Sequence, residues 1–321
     1  MRRIKKCTVF LLLLCLLLNL AGCAAAQKPL RVTLVLKTVT EVAEFWGTLL
    51  SGVEKAAEEY GVELKVLTSP REIDIDKQIE LIRQVTADKP DVMILSAADY
   101  DRCAEATEEA IAAGIGVVAI DTDVNAAGRA CFVGSNSYEI GLEMGRAMAS
   151  YLPEGGKVAV IQHMLTTTTG IERTRGVLDA LNEAGNIEIL GSFCCDNSTE
   201  QAQTITTELL SADPEIRGFV CTNEVCNVGA ANALVELGMG GRVYVVGCDN
   251  SQRQIALLEQ NIIQAIVIQR PFNMGYMAVQ QAVRVAQGEE PEDFVEVACV
   301  LITRENMYTQ ENQKLLFPVL R

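Results

Sequence analysis

The sequence predicts an α/β protein of two lobes, each built on a parallel β-sheet. Three observations support this prediction. From Leu30 onward, short apolar runs alternate with amphipathic segments of helical length, a pattern typical of consecutive βαβ units. The whole alternating pattern occurs once in the first half of the chain and again in the second half. The length of 321 residues, of which 49% are hydrophobic and 21% charged, is sufficient for two folded domains.

The first half opens with a β-branched stretch at 31–36, which predicts a strand. Phe45, Leu49 and Val53 follow at helical spacing, and Gly61 ends this helix. The same two signals, apolar residues at helical spacing and short β-branched or apolar runs, identify the remaining elements. They predict helices over 41–60, 74–87 and 102–113, and further strands over 62–67, 91–95 and 116–120.

The second half repeats the alternation of strands and helices. The predicted helices cover 137–151, 170–184, 199–210, 224–237, 252–259 and 273–287. The predicted strands cover 157–161, 187–193, 216–221, 242–247, 263–268 and 295–303. We expect the tail after Arg304 to pack on the surface or to fray.

Asp121 and Asp249 end equivalent apolar strands in the two halves. In open parallel sheets, ligands bind beyond the carboxyl ends of the strands. The sequence therefore predicts a cleft between the two sheets that is walled by both carboxylates. The alternative is that each aspartate only caps the helix that follows it.

The amino terminus has the features of an export signal. Four positive charges precede an apolar run at 8–20, which is short for a membrane span of about 20 residues. The sequence Leu20-Ala21-Gly22-Cys23 follows and resembles the lipobox of bacterial lipoproteins, in which the cysteine is lipidated and becomes the first residue. The alternative is a plain signal peptide that contains a cysteine. Either interpretation places the protein outside the cytoplasm.

Charge and cysteine content limit the partners. The chain carries a net charge of −15. Without the positively charged leader, residues 23–321 carry −19, so nucleic-acid binding is not expected.

Eight of the 11 cysteines lie beyond the leader and Cys23. Several occupy apolar, strand-like runs where a free thiol acts as a small hydrophobe. An exported chain also permits disulfides, so both thiol states stay open.

The sequence offers little support for an enzyme. His163 is the only histidine, and the cysteine spacing fits no zinc site, so neither a metal nor another cofactor is expected. No Gly-x-Gly-x-x-Gly motif follows a strand. Paired carboxylates occur in glycosidases, but equivalent positions in two lobes favour clamping a ligand.

Nine short motifs in order resemble the ribose/galactose-type extracellular solute-binding proteins of ABC importers. They are Glu44-Phe45-Trp46, Asp74-Ile75-Asp76-Lys77-Gln78-Ile79, Pro90-Asp91, Ile120-Asp121-Thr122-Asp123, Val133-Gly134-Ser135-Asn136, Glu172-Arg173-Thr174-Arg175-Gly176, Thr222-Asn223-Glu224, Val246-Gly247-Cys248-Asp249 and Asn273-Met274-Gly275-Tyr276. The resemblance extends over about 270 residues. It implies the periplasmic binding protein-like I fold: two Rossmann-like lobes joined by a three-strand hinge.

The resemblance also implies ligand-binding roles. Phe45 and Trp46 match an aromatic pair that lies on a sugar ring, although Trp46 could instead belong to the core. The polar positions that match are Asp121, Asp249, Arg173, Asn223 and Gln269. Carboxylates accept charge-assisted hydrogen bonds from hydroxyl groups. A solvated helix charge is the alternative for Arg173.

Four positions depart from the ribose binders or add to the site. Thr122 replaces a frequent arginine, Asn197 replaces an aromatic that covers the sugar, and Cys248 replaces a phenylalanine. Lys37 adds a cation after the first strand. We therefore expect a ligand other than plain ribose, or a different pose, with Thr122, Asn197 and Lys37 at the site. Lys37 with the Asp-Thr-Asp stretch also resembles autoinducer-2 receptors.

The resemblance implies that the lobes interleave along the chain. Residues 1–22 form the signal peptide. The first lobe comprises 24–133 with 270–297, and the second comprises 134–269 with 298–321. The expected function is a monomeric, lipid-anchored binding protein that passes a sugar or related polyhydroxy molecule to an ABC permease. The alternative is a binding protein for a sensory receptor.

Overall fold

The computed structural model describes residues 28–38 and 44–317. The strands are β1 Arg31–Leu36, β2 Glu63–Thr68, β3 Val92–Leu95, β4 Gly116–Ile120, β5 Cys131–Gly134, β6 Gly156–Gln162, β7 Ile187–Cys194, β8 Ile216–Cys221, β9 Tyr244–Cys248, β10 Ala265–Ile268, β11 Phe294–Glu296 and β12 Val300–Thr303. The helices are α1 Glu44–Tyr60, α2 Ile75–Asp88, α3 Ala104–Ala112, α4 Ser137–Tyr151, α5 Thr168–Ala184, α6 Thr199–Ala212, α7 Glu224–Glu236, α8 Gln252–Glu259, α9 Pro271–Ala286 and α10 Gln310–Leu316. The predicted signal peptide and Cys23 lie outside the described residues.

The strands form two six-stranded sheets. The first has the order β11-β5-β4-β3-β1-β2, and every neighbouring pair is parallel. The second has the order β12-β10-β9-β8-β6-β7 and is parallel except for β12, which runs antiparallel to β10. The predicted two-lobed α/β architecture is confirmed.

Each sheet is covered by helices on both faces. In the first sheet, α1 and α9 cover one face, and α2 and α3 cover the other. In the second sheet, α4 and α5 cover one face, and α6, α7 and α8 cover the other. Central strands such as β3 and β10 are therefore buried along their whole length, which explains why they appear in the sequence as continuous apolar runs.

The chain passes between the sheets three times: from β5 to α4, from β10 to α9 and from β11 to β12. These crossings explain two differences from the predicted elements. The strand predicted at 295–303 is two strands, which belong to different sheets. β12 begins at the edge where the parallel strands end, so it must run in the opposite direction.

Two further elements were not predicted. β5 is a short strand between β4 and β11, and α10 lies in the tail that we expected to pack or fray. Thr309 caps α10 by accepting a hydrogen bond from the backbone of Asn312, and the side chain of Leu316 is buried. None of the helices in the described part of the chain is long and apolar enough to cross a membrane.

Candidate functional site

Asp121 and Asp249 occupy the same place in the two sheets. Asp121 follows β4 and donates its backbone N–H to Val133 of the neighbouring strand, at 3.0 Å; Asp249 follows β9 and does the same to Val267, at 2.9 Å. Both residues have left-handed backbones, with φ of 62° and 67°, a conformation that aspartate tolerates better than most residues. The fold therefore aims both carboxylates into the space between the sheets.

Neither aspartate acts as the cap of a helix. The N-cap of α8 is Ser251, whose hydroxyl accepts a hydrogen bond from the backbone of Gln254. Asp121 is followed by a loop and then by β5. The capping alternative raised from the sequence is therefore wrong for both positions.

A cavity of about 40 Å³ lies between the two sheets. Side chains from both lobes line it, and six of the ten carry a titratable group. The lining residues are Lys37, Phe45, Glu72, Asp121, His163, Thr169, Arg173, Asn223, Asp249 and Gln269. Seven of these were predicted as ligand-binding residues from the sequence.

On the side of the first sheet, a buried lysine lies between two carboxylates. The Nζ atom of Lys37 is 2.9 Å from Glu72 and 3.2 Å from Asp121. Burial by itself would lower the pKa of Lys37, but the two carboxylates outweigh burial and raise the pKa above its ordinary value. Lys37 therefore stays charged although it is only 4% exposed.

Glu72 was not identified from the sequence. It lies in the loop between β2 and α2, and its side chain is buried against Lys37. Its other oxygen accepts a hydrogen bond from Asn197, at 2.8 Å. The only available signal was an acidic residue shortly after a strand, at the edge where ligands bind in parallel sheets.

Arg173 forms the cationic part of the opposite wall. It is 2% exposed, donates from Nη1 to the carbonyl of Thr222 at 2.9 Å, and lies 3.7 Å from Asp249. The alternative of a solvated helix charge is therefore wrong. Gln269 donates to the other oxygen of Asp249, at 2.7 Å, so a cation and an amide hold this carboxylate in place.

Two asparagines join the walls. Asn223 is the N-cap of α7 and donates from its amide to Asn197, at 2.8 Å. Asn197 in turn donates to Glu72 across the cleft. Asn197 has a positive φ of 54°. Its side chain is hydrogen-bonded to Glu72 and Asn223, which line the cavity.

His163 lies at the end of β6 and lines the cavity as a neutral imidazole. Its ring nitrogens are 2.7 Å from the hydroxyl of Thr222 and 3.2 Å from the hydroxyl of Thr169. Burial lowers the pKa of His163 well below its ordinary value, and the charges of Lys37 and Arg173 lower it further. It therefore lines the cavity without adding charge.

Three predicted site residues, Asn197, Trp46 and Thr122, lie outside the cavity lining. Trp46 is buried in the core between α1 and the first sheet, and its ring meets Phe45 edge to face at 5.1 Å. Phe45 itself lines the cavity. Thr122 is fully buried and donates its hydroxyl to the carbonyl of Ala97 at 2.7 Å, so it supports the loop that carries Asp121.

All eight cysteines of the described residues are free thiols. Six are fully buried, among them Cys248, the last residue of β9. Burial raises the pKa of Cys103 and Cys131 to about 11, which makes such thiols unreactive. Within residues 28–38 and 44–317, no three His, Cys, Asp or Glu side chains are grouped as metal ligands.

Comparison with known proteins agrees with this architecture. Residues 33–290 match the periplasmic binding protein domain family. The chain is 26% identical over 274 residues to a D-ribose/D-allose-binding protein of Pseudomonas aeruginosa, covering 83% of this chain and 85% of the relative. It is 25% identical over 303 residues to the D-allose-binding periplasmic protein of Escherichia coli, covering 90% and 96%.

Solved structures show the same fold. A carbohydrate transporter solute-binding protein from Agrobacterium radiobacter, in complex with D-arabinose, superimposes with a TM-score of 0.87 at 23% identity, covering 91% of this chain and all of the other. A sugar transporter from Clostridium phytofermentans has a TM-score of 0.79 at 29% identity, covering 85% and 98%. Two α/β lobes, three crossings and a family match over most of its length establish that this chain belongs to the periplasmic binding protein family, whose members are extracytoplasmic binding proteins and not enzymes.

Proposed function

We propose that this chain captures a monosaccharide or a related polyhydroxy molecule between its lobes and presents it to an ABC permease. One observation carries the proposal: equivalent carboxylates, Asp121 and Asp249, converge from two sheets on one cavity that also holds Arg173. Carboxylates accept hydroxyl hydrogen bonds, and the guanidinium group donates to oxygen atoms. Asn223 and Gln269 add amides that can bond hydroxyl groups in either direction.

The mechanism we propose is closure about the three crossings. Residues 24–133 with 270–297 would move against 134–269 with 298–321. In the structure the described residues of the two lobes are already in contact, through five hydrogen bonds at the cleft. Tyr100 donates to Thr166, Thr166 to Ala98, Asp123 to Thr168, Asn197 to Glu72 and Gln252 to Glu44.

The size of the cavity supports a role for opening. Pockets for small molecules typically measure about 300–1,000 Å³, and this cavity is far smaller. A sugar can enter only after the cross-cleft hydrogen bonds break and the lobes separate. Closure then removes water from the polar contacts and fixes the ligand.

A thermal-shift screen of residues 24–321 against pentoses, hexoses, polyols and autoinducer-2 tests this function. A ligand at about 100 times its Kd stabilises the protein by roughly 2.7 kcal/mol, which raises the Tm measurably. Small-angle scattering with a hit should show a smaller radius of gyration than the ligand-free protein if the free protein is partly open. A screen without a single hit among these classes contradicts sugar capture.

We further propose that the protein is a monomer anchored to the cell membrane through a lipid on Cys23. The support is the leader and the Leu20-Ala21-Gly22-Cys23 sequence. Expression of the full chain with labelled fatty acid should give a labelled protein in the membrane fraction, and Cys23→Ser should abolish the label and release the protein. Sedimentation of residues 24–321 tests the monomer.

A further inference from the structure

The charges that face the cavity do not balance. The anionic groups are Glu72, Asp121 and Asp249, and the cationic groups are Lys37 and Arg173. The sixth titratable group, His163, is neutral because burial lowers its pKa. Counted over the described residues, the lining therefore carries one negative charge in excess, in a site that is almost completely buried.

The excess lies on the side of the first sheet. Arg173 and Asp249 face each other on the opposite wall, at 3.7 Å. Within the described part of the chain, Lys37 is the one cation that contacts both Glu72 and Asp121, at 2.9 and 3.2 Å. A buried carboxylate without a full counter-charge raises the free energy of the folded protein. A cationic group of a ligand would therefore be stabilised next to this wall.

One carboxylate oxygen on this wall is also available. Asp121 is 6% exposed, and its Oδ2 atom contacts Lys37 and Ser96. No side chain or backbone group of the described residues donates a hydrogen bond to its Oδ1 atom. Across the cavity, Nε of Arg173 is a buried donor without a partner in the described part of the chain. A complementary ligand therefore has a hydrogen-bond donor at the end near Asp121 and an oxygen acceptor at the end near Arg173.

We propose that the ligand is an amino sugar, a monosaccharide-sized polyol with one ammonium group directed at Asp121 and Glu72. The inference rests on the proposed function and specifies its ligand class. Lys37 Nζ occupies the space between the two carboxylates and contacts Asp121 through Oδ2, so the ammonium group of the ligand would bind the Oδ1 atom of Asp121, within the field of Glu72. The ring and hydroxyl oxygens would accept from Arg173, and the remaining hydroxyl groups would meet Asn223, Gln269 and His163.

The test is calorimetric titration of residues 24–321 at about pH 6, where primary amines are protonated. The probes are matched sets: D-ribose with its 5-amino-5-deoxy derivative, and D-glucose and D-galactose with their 2-amino-2-deoxy and N-acetyl derivatives. We expect at least one amine to bind about tenfold more tightly than both its neutral parent and its N-acetyl form, since charge-assisted hydrogen bonds are the stronger ones. Added salt should reduce that ratio.

Glu72→Gln is the decisive variant, because it preserves shape and removes the excess charge. Its ratio of amine to parent affinity should fall toward one. Glu63→Gln removes the same charge from an exposed position on β2 and should leave the ratio unchanged. If Glu72→Gln does not fold, Asp121→Asn serves the same purpose.

The outcomes separate this inference from the proposed function. Neutral sugars that bind as tightly as their amines would overturn the amino-sugar assignment and leave sugar capture intact. An amine preference that persists in Glu72→Gln would overturn the role of the excess charge. If no member of any set binds, both the assignment and the proposed capture of sugars fail.

Discussion

At the residue scale, the site depends on how two aspartates hold their backbones. Asp121 and Asp249 adopt a left-handed conformation that costs free energy in most residues. The hydrogen bond from each backbone N–H to the adjacent strand keeps them there. The carboxylates are thus positioned before a ligand arrives, so binding does not have to order them.

Asp249→Asn tests the contribution of one carboxylate. Asparagine also tolerates the left-handed conformation, so we expect the variant to fold, with a lower Tm because the buried Arg173 loses its counter-charge. Ligand affinity should fall by roughly tenfold to a hundredfold, because hydrogen bonds to a charged group are worth about 1.5–3 kcal/mol. Calorimetry with the ligand found in the thermal-shift screen measures this change, with Glu63→Gln as the control. Unchanged affinity would remove Asp249 from the site.

Glu224 is a buried acid behind the cavity wall, at the start of α7. Burial, opposed by a hydrogen bond with Ser251 and helped by the charges of Asp249 and Glu44, raises the pKa of Glu224 to about 8. An unfolded chain releases this proton at about pH 4.3. Between these values the folded state holds a proton that the unfolded state has lost, so the free energy of unfolding falls as the pH rises.

Glu224→Gln should therefore flatten the pH dependence of stability. We expect the Tm of the wild-type protein to decline between about pH 5 and pH 8 more steeply than that of Glu224→Gln, and the variant to be the more stable protein at the upper end. Thermal melts across this range measure both slopes. Glu63→Gln, at an exposed position, should match the wild type. Equal slopes for Glu224→Gln and the wild type would show that Glu224 is ionised throughout.

At the element scale, the packing of α4 on α5 positions Arg173. A Cβ atom on Gly141 would collide with the carbonyl oxygen of Arg173, and one on Gly176 would collide with that of Tyr138. The two glycines thus let the helices approach at the turn that carries the arginine. This close approach holds the guanidinium group of Arg173 at the cavity.

Gly176→Ala should separate the two helices and displace Arg173. We expect destabilisation of roughly 1–3 kcal/mol, the usual cost of overpacking, together with weaker ligand binding. The matched control is Gly47→Ala, at a helical glycine of α1 where an added methyl group would meet no atom within 4 Å; it should gain up to about 1 kcal/mol. Chemical denaturation measures both changes. A stabilised Gly176→Ala would contradict the close packing.

At the scale of the whole molecule, cross-cleft contacts set the balance between open and closed forms. The bond from Asn197 to Glu72 joins the lobes beside the cavity, and Asn223 holds Asn197 from behind. The bonds near Thr166 and Thr168 join the lobes at another part of the cleft. Each bond contributes little free energy, so loss of one shifts the population without unfolding a lobe.

Asn197→Ala should favour the open form. We expect a larger radius of gyration for the ligand-free variant by small-angle scattering, and faster ligand release in stopped-flow measurements. Asn186→Ala is the control, since the side chain of Asn186 donates a hydrogen bond to Pro153 of its own lobe. Identical scattering of wild type and Asn197→Ala, with and without ligand, would argue against this contact as a determinant of closure.

The sequence by itself determined the fold class, most element positions and the carboxylate pair. Apolar periodicity of two or 3.6 residues is a local property, so β4 and α4 were located correctly from their own residues. The equivalence of Asp121 and Asp249 was visible because the chain repeats one βαβ pattern. What a residue does within its own element could therefore be predicted without the structure.

Only the tertiary structure decided which side chains meet. Glu72 reaches Lys37 and Asn197 from a loop with no periodicity, and nothing local predicts where such a loop folds. Trp46 turns into the core although its neighbour Phe45 faces the cavity. The segment predicted as one strand is divided between two sheets. These outcomes depend on packing between residues far apart in sequence, and that information is absent from any single segment of the chain.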